Sequence, residues 1–462
     1  MRSTLIRRAM FVGLIALASR AAADNAADTL AVGLTDASFP VVALEPGTST
    51  PHAAWVSNGT LFHAWPTASG WQNEVVATGL TEGTSRPYDG VDLRLGASGT
   101  VAMVYRRAGR LECAQRVAGV WQAAESLAGV PGALPPALAM SPVTNEPVVV
   151  WAQRGAVGEP YSIRLARRTL GTWSTQTLDT TTRAPLAVNV AVDDADRPRV
   201  VWSRLRADGR SSRVLVCGLA SGPTGPFTIA PVDSDLTGYS SLALDPSSGE
   251  PRLAYQATSV TNARTVRYAA RHTLGTWDTV TVLPSYSTNT TIALACGPAG
   301  DPFLATTILS PIAPQDALGG GRVALQACGA VFNTGEVRLL HRLEGTGTAP
   351  FEAFDIIHPL GVDDLAMGVR ALAVDGSGFP AVGWRSPGTT CAPFLIGFTR
   401  SAVPSGVGPQ TGSLAALRPL VPNPVRLGAL WQLSWSLARS ATVTLTIHDA
   451  AGRRVAERSL GR

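Results

Sequence analysis

The groups in this sequence whose type and spacing best fit binding chemistry are arginines that follow a repeated aromatic residue. They stand as Arg106 after Tyr105, Arg154 after Trp151, Arg204 after Trp202, and Arg385 after Trp384, with Arg206 and Asp208 close behind Arg204. A guanidinium presents a planar fork of donors that matches a carboxylate bidentately. If the loops share one mouth, Arg106, Arg154, Arg204, Arg206, Asp208 and Arg385 form a ligand-binding ring. The chain contains no lysine, so a single arginine is a weak functional signal and only a converging set carries weight.

Other chemistries find less support. Asp193-Asp194-Ala195-Asp196 lacks the oxygen series and central glycine of a calcium loop, and it occupies the turn where other copies of the repeat place Asp245 and Asp375. Aspartate there caps a turn through its own backbone. The histidines at 52, 63, 272, 341, 358 and 448 show no metal-ligand spacing. Neither a Gly-x-Ser-x-Gly elbow nor a phosphate-binding loop is present. The expectation is therefore no catalytic residue, no metal and no cofactor.

The elements that must position the arginines are repeated hairpins. Ser241-Leu242-Ala243-Leu244-Asp245 runs through Pro246-Ser247-Ser248-Gly249-Glu250 into Pro251-Arg252-Leu253-Ala254-Tyr255, apolar residues alternating on both sides. The unit recurs from Val42 to Trp55, Leu93 to Tyr105, Leu138 to Trp151, Val190 to Trp202, Ile292 to Thr306 and Leu372 to Trp384. In six copies a proline (51, 147, 198, 251, 302, 380) opens the second strand, where no ladder bond is lost. Alanine sits between two larger apolar residues in six of the first strands, as slim innermost strands near an axis require; Leu93-Arg94-Leu95 is the exception.

A second pair of strands follows in most copies, as in Val266–Arg271 and the segment after Gly275-Thr276-Trp277. Four strands at a period near 50 residues predict an all-β propeller of seven four-stranded blades. A strand near Thr29–Gly33 would close the ring. The segment 307–360 is long enough for either an enlarged blade or an insertion.

Arg2, Arg7 and Arg8, the apolar run Ala9–Ala18 and Ala21-Ala22-Ala23 have the order of a secretory signal peptide, with cleavage after Ala23. The run is too short for the roughly 20 residues of a membrane span. Removing residues 1–23 takes away four arginines and no acid, leaving a chain near neutrality. Nothing in that charge points to nucleic acid. Five cysteines are too few for a disulfide scaffold of this size, and Cys113, Cys217 and Cys328 fall at comparable places in different repeats.

Beyond a linker at 401–417, Pro422-Asn423-Pro424 and Val443-Thr444-Leu445-Thr446-Ile447-His448-Asp449, with Gly452-Arg453-Arg454-Val455, resemble the immunoglobulin-like module related to the flagellar-hook capping protein and to type IX sorting domains. That resemblance covers about 418–462 and implies a partial β module for export or surface retention. An arginine cluster with acids would also suit a sialidase-type propeller enzyme, with Glu112 or Asp208 as the acid. Only Gly171-Thr172-Trp173 and Gly275-Thr276-Trp277 keep the last letters of that family's repeated box.

The domain expectation is thus a signal peptide at 1–23, a propeller at 24–400, a linker at 401–417 and the C-terminal module at 418–462. The functional expectation is a monomeric, secreted or surface-attached, non-enzymatic protein that holds a glycan or a protein on its loop face. A sialidase-like enzyme and a structural spacer are the alternatives.

Overall fold

The computed structural model describes residues 27–34, 37–80, 90–97, 99–128, 135–156, 158–186, 188–205, 213–258, 264–272, 275–283, 291–310, 334–342, 351–357, 367, 370–387 and 394–400, with four short strands beyond 414. Segment 1–23, with the expected signal peptide, lies outside these residues. The chain divides into two units, Asp24–Gly406 and the remainder. Every regular element among the described residues is a β-strand.

Within Asp24–Gly406 the strands form antiparallel meanders. The first sheet runs Val41–Leu44, Pro51–Ser57, Thr60–Thr67 and Gly70–Thr78. Six prolines (51, 147, 198, 251, 302, 380) are indeed the first residues of their strands. The two-residue turn Asn58-Gly59 has φ of 48° and 69°, the mirror-image geometry whose twist matches the flanking strands. Four sheets have four strands, one has five and one has seven.

In the seven-stranded sheet, the 18-residue strand Phe227–Leu244 changes partner along its length. Its first part pairs with Arg213–Ala220 and its last part with Pro251–Thr258, with the register broken between Leu236 and Ser240. The extra length after 306 lies between the second and third strands of an ordinary four-stranded sheet, in which Thr334–His341 pairs with both Pro302–Ser310 and Glu352–Ile357.

The innermost strands touch in a closed circuit. Val41–Leu44 meets Asp92–Leu95, which meets Ala137–Met140, then Val188–Val192, Phe227–Leu244, Ile292–Cys296 and Leu372–Val374, which returns to Val41–Leu44. The strand Ala27–Leu34 completes the last sheet by pairing with Phe394–Arg400, as the alternation near Thr29–Gly33 predicts. Joining the first and last described strands of Asp24–Gly406 in one sheet leaves no open end to the stack. This is a β-propeller arrangement.

The core lies between sheets. Val41, Ala43, Ala54 and Val56 of one sheet bury against Leu93, Val101, Met103 and Tyr105 of the next. Trp55, Trp151, Trp202, Trp384, Tyr105 and Tyr255 are all fully buried, so the repeated aromatics are core residues. Trp384 lies over Gly397, its register partner, where a Cβ would stand 2.0 Å from the indole. Beyond 414 two hairpins are described, Ala415–Leu417 with Trp435–Leu437 and Thr444–His448 with Arg454–Ser459. The first begins inside the segment expected to be a linker.

Candidate functional site

The loop arginines are held by near neighbours. Arg154 Nε donates to the Glu159 carbonyl at 3.2 Å, and its guanidinium lies 5.7 Å from the Tyr161 ring centroid. Arg204 approaches Asp179 at 3.8 Å. Arg385 sits 3.9 Å over the Phe39 ring and donates to the Ala37 carbonyl. Arg106 is half-buried in Val101–Arg107, opposite Leu111. Arg206 and Asp208 fall outside the described residues. Arg154, Arg204 and Arg385 thus engage three different neighbours. Glu112, the other acid considered, pairs with Arg107 at 2.8 Å.

The turn aspartates are similarly occupied. Asp245 accepts from the Ser247 amide and hydroxyl at 2.8 and 2.7 Å, and from Arg252 Nη2 at 2.7 Å. Asp193 accepts from Arg197 Nε and Arg199 Nη2 at 2.8 and 2.9 Å. Asp196 takes Ser141 Oγ at 2.7 Å and pairs with buried Arg167. These carboxylates cap turns and neutralise arginines of the strands beneath them.

Two constellations remain. One is a chain of side chains joining the first two sheets. His52 Nδ1 lies 2.9 Å from His63 Nε2, and His63 Nδ1 lies 2.9 Å from Glu74 Oε1. The same Glu74 oxygen accepts from Trp121 Nε1 at 2.7 Å and lies 2.9 Å from Arg116 Nε. Arg116 stacks 4.6 Å over Trp65, itself 5.0 Å from the His63 ring.

Because the carboxylate can only accept, His63 carries its proton on Nδ1 and His52 donates to it, with both rings neutral. Burial pushes His52 down to about 4, with His63 adding to the effect, and pushes His63 down to about 3, with Arg116 adding to it. Both histidines are buried, His63 completely. The cluster binds sheet to sheet. Its only sequence signal is Trp65, which breaks the register of the repeated tryptophans.

The same design recurs one repeat later. Arg168 Nε and Nη2 each donate to Glu125 at 3.0 Å, and Trp173 Nε1 donates to it at 2.5 Å. An arginine and a tryptophan of one sheet thereby clamp a glutamate of the sheet before it.

The second constellation lies on the axis of the ring and was not among the predicted residues. Asp92, the first residue of an innermost strand, is fully buried. Its Oδ1 accepts from the Leu93 amide at 2.9 Å and lies 3.2 Å from Arg94 Nη1. Its Oδ2 accepts from the Leu138 amide of the next sheet at 2.8 Å and lies 3.3 Å from Arg370 Nε.

Arg370 comes from the last sheet and also donates to the Val91 carbonyl at 3.2 Å. Its guanidinium is drawn below its ordinary value by burial; Asp92 opposes this and Arg94 adds to it. With Asn189 and Ser241, the two arginines line a cavity of about 30 Å³. Asp92, Ala137 and Asn189 stand at or next to the start of their strands, the end of the ring where the loops after Trp55, Arg107 and Arg154 turn. Arg94 does carry a sequence signal, since it replaces the alanine found at that place in the other six first strands.

No family model matches the sequence, and no curated protein matches it. Among solved structures, the fold is similar to that of "polysaccharide lyase Uly1", at TM-score 0.51 and 9% identity over 78% of this chain and 89% of that one. It is also similar to a "polysaccharide lyase PL25-Ulvanlyase" bound to a glucuronate–sulfated-rhamnose unit, at TM-score 0.50 and 10% identity over 80% and 94% of the two chains. At these identities the likeness is one of fold.

Proposed function

We propose that this chain is an extracellular glycan-interacting β-propeller, exported through residues 1–23, that binds rather than transforms its ligand. In this reading residues 24–400 form seven blades, the seven-stranded sheet counting as two that share the strand Phe227–Leu244. Residues 401–417 link this ring to an immunoglobulin-like segment at 418–462 that serves surface retention. The change of pairing partner near Leu236 and the closed circuit of innermost strands support the blade count.

The observation that carries the reading is the polar mouth on the axis. Arg94 and Arg370 bring two guanidiniums together there, beside the polar Asn189 and Ser241, and guanidinium is the donor that hydroxyl- and carboxylate-rich ligands require. Arg106, Arg154, Arg204, Arg206, Asp208 and Arg385 would serve as an outer rim around it.

A second reading is favoured by the two solved neighbours, both polysaccharide lyases: a propeller enzyme acting on acidic polysaccharide. A glycan array probed with the full chain separates the readings when paired with ultraviolet detection of unsaturated uronate after incubation with acidic polysaccharides. Binding without product supports the first reading, and product formation supports the second. Absence of both binding and product would leave the propeller as a structural spacer and overturn the glycan reading.

A further inference from the structure

We propose that the axial mouth is an oxyanion site, in which Arg94 and Arg370 together receive a carboxylate or sulfate group. This rests on the glycan reading where it names the source of the anion, an acidic sugar. The site itself follows from local charge and geometry.

Asp92 faces two guanidiniums with one negative charge, leaving one positive charge over. Its tightest bonds, at 2.8 and 2.9 Å, go to backbone amides, and the arginines stand farther off, at 3.2 and 3.3 Å. Arg370 Nε makes no hydrogen bond in that position, although the side chain is only 7% exposed. A buried guanidinium without its full counter-charge is costly, and an oxyanion meeting both arginines removes that cost.

Among the described residues that line the cavity there is no acid. Asn189 Nδ2 donates to the Ser240 carbonyl at 3.0 Å, Ser241 Oγ accepts from the Leu294 amide at 3.0 Å, and Leu242 and Leu294 are apolar. Amide, hydroxyl and aliphatic groups leave the field of the two arginines opposed by Asp92 alone among the described residues. A volume of about 30 Å³ has room for the oxygens of an acid group and none for a pyranose ring. The sugar would therefore stay outside, against the loops, with its acid group entering.

The test is calorimetric titration of the full chain with glucuronate, with inorganic sulfate and with glucose at constant ionic strength, repeated on Arg94→Gln. Arg94 is the residue to change because its side chain is one-third exposed, whereas the buried Arg370 risks the fold. Glucuronate and sulfate are expected to bind and glucose not to, with affinity falling roughly tenfold in Arg94→Gln, the loss of one charge-assisted contact. An acidic oligosaccharide binding more tightly than sulfate would identify a sugar acid as the source, and equal binding would identify a free anion.

Absence of anion binding, or equal affinity in Arg94→Gln at an unchanged melting temperature, would overturn the proposal. The two readings fail separately. A neutral glycan that binds while the anions do not would sink the oxyanion site and keep the glycan reading. Anions bound through Arg94, with an empty glycan array, would do the reverse.

Discussion

The clamps between sheets and the mouth on the axis are built from the same residue types and reach opposite electrostatic ends. At the clamps a glutamate is enclosed by matched donors: Arg168 grips Glu125 with two nitrogens while Trp173 takes one of the same oxygens, and a further glutamate, Glu146, meets Arg168 Nη1 at 2.9 Å. At the axis one carboxylate stands between two arginines from different ends of the chain. At the clamps the arginine is met in full, or outnumbered, by carboxylates; at the axis guanidinium charge is left over. In a chain whose cations are nearly all arginine, a local excess of guanidinium over carboxylate separates a site from a strut.

The sharpest way to break this contrast is to remove the single axial carboxylate. Asp92→Asn leaves the buried Arg370 without its carboxylate beside the partly exposed Arg94, and deprives the Leu93 and Leu138 amides of a charged acceptor. A loss of about 3–5 kcal/mol is expected, the cost of uncompensating a buried ion pair, read from urea unfolding midpoints. A loss below about 1 kcal/mol would mean that the two guanidiniums are well solvated, and the comparison would collapse.

Acidification tests the other region next. His52 and His63 are depressed to about 4 and about 3, chiefly by burial, so the unfolded chain takes up protons near the ordinary histidine range while the folded chain does not. Their stabilising contribution is complete above about 6.5 and is lost progressively as pH falls from there, down to about 4 for His52 and about 3 for His63. The loss is about 1.4 kcal/mol per pH unit for each ring that stays neutral. Thermal unfolding of the wild type should therefore shift downward between pH 7 and 5. A His52→Gln, His63→Gln variant should follow a flatter profile; parallel profiles would exclude the pair as the cause.

Glu125→Gln comes third. Burial opposes ionisation of Glu125, yet hydrogen bonds from Arg168 and Trp173 hold it below the usual carboxylate range. Because its side chain is 37% exposed, water takes up much of the lost attraction. About 1–2 kcal/mol of stability should disappear in chemical denaturation, less than at Asp92, with binding at the axis unchanged. A larger loss than that of Asp92→Asn would invert the order on which the contrast depends.

The fold was largely legible because its signal is repeated. Period-two apolar strands, proline at the start of six of the seven second strands and, in most copies, an aromatic four residues later recur with enough regularity to define sheets and their sequence. The site was less legible because it depends on ring closure. Asp92 and Arg370 are hundreds of residues apart in sequence, and Arg370 precedes its strand with no motif to mark it. Arg94 was visible as the break in an alanine pattern. The loop arginines attracted attention through position alone, and only coordinates could reveal that Glu159, Asp179 and Phe39 already engage three of them. Likewise His52 and His63 are eleven residues apart, a spacing that means nothing until two strands bring the rings together.

The smallest expected effect is at Arg154, and it is informative for that reason. Its contacts are the Glu159 carbonyl at 3.2 Å, in the exposed turn that follows, and the ring of Tyr161, its register partner on the next strand. Neither is a charge pair, and a half-buried guanidinium at the end of its strand keeps much of its hydration when they are lost. Arg154→Ala should alter stability by less than about 0.5 kcal/mol. Its effect on anion titration at the axis should be confined to a small change in association rate that fades with added salt, since a rim charge acts by steering. Stopped-flow binding at two ionic strengths measures this directly. A salt-independent loss of affinity comparable to that of Arg94→Gln would place Arg154 in the site itself, and the division between a charged mouth and a neutralised periphery would have to be redrawn around the loops.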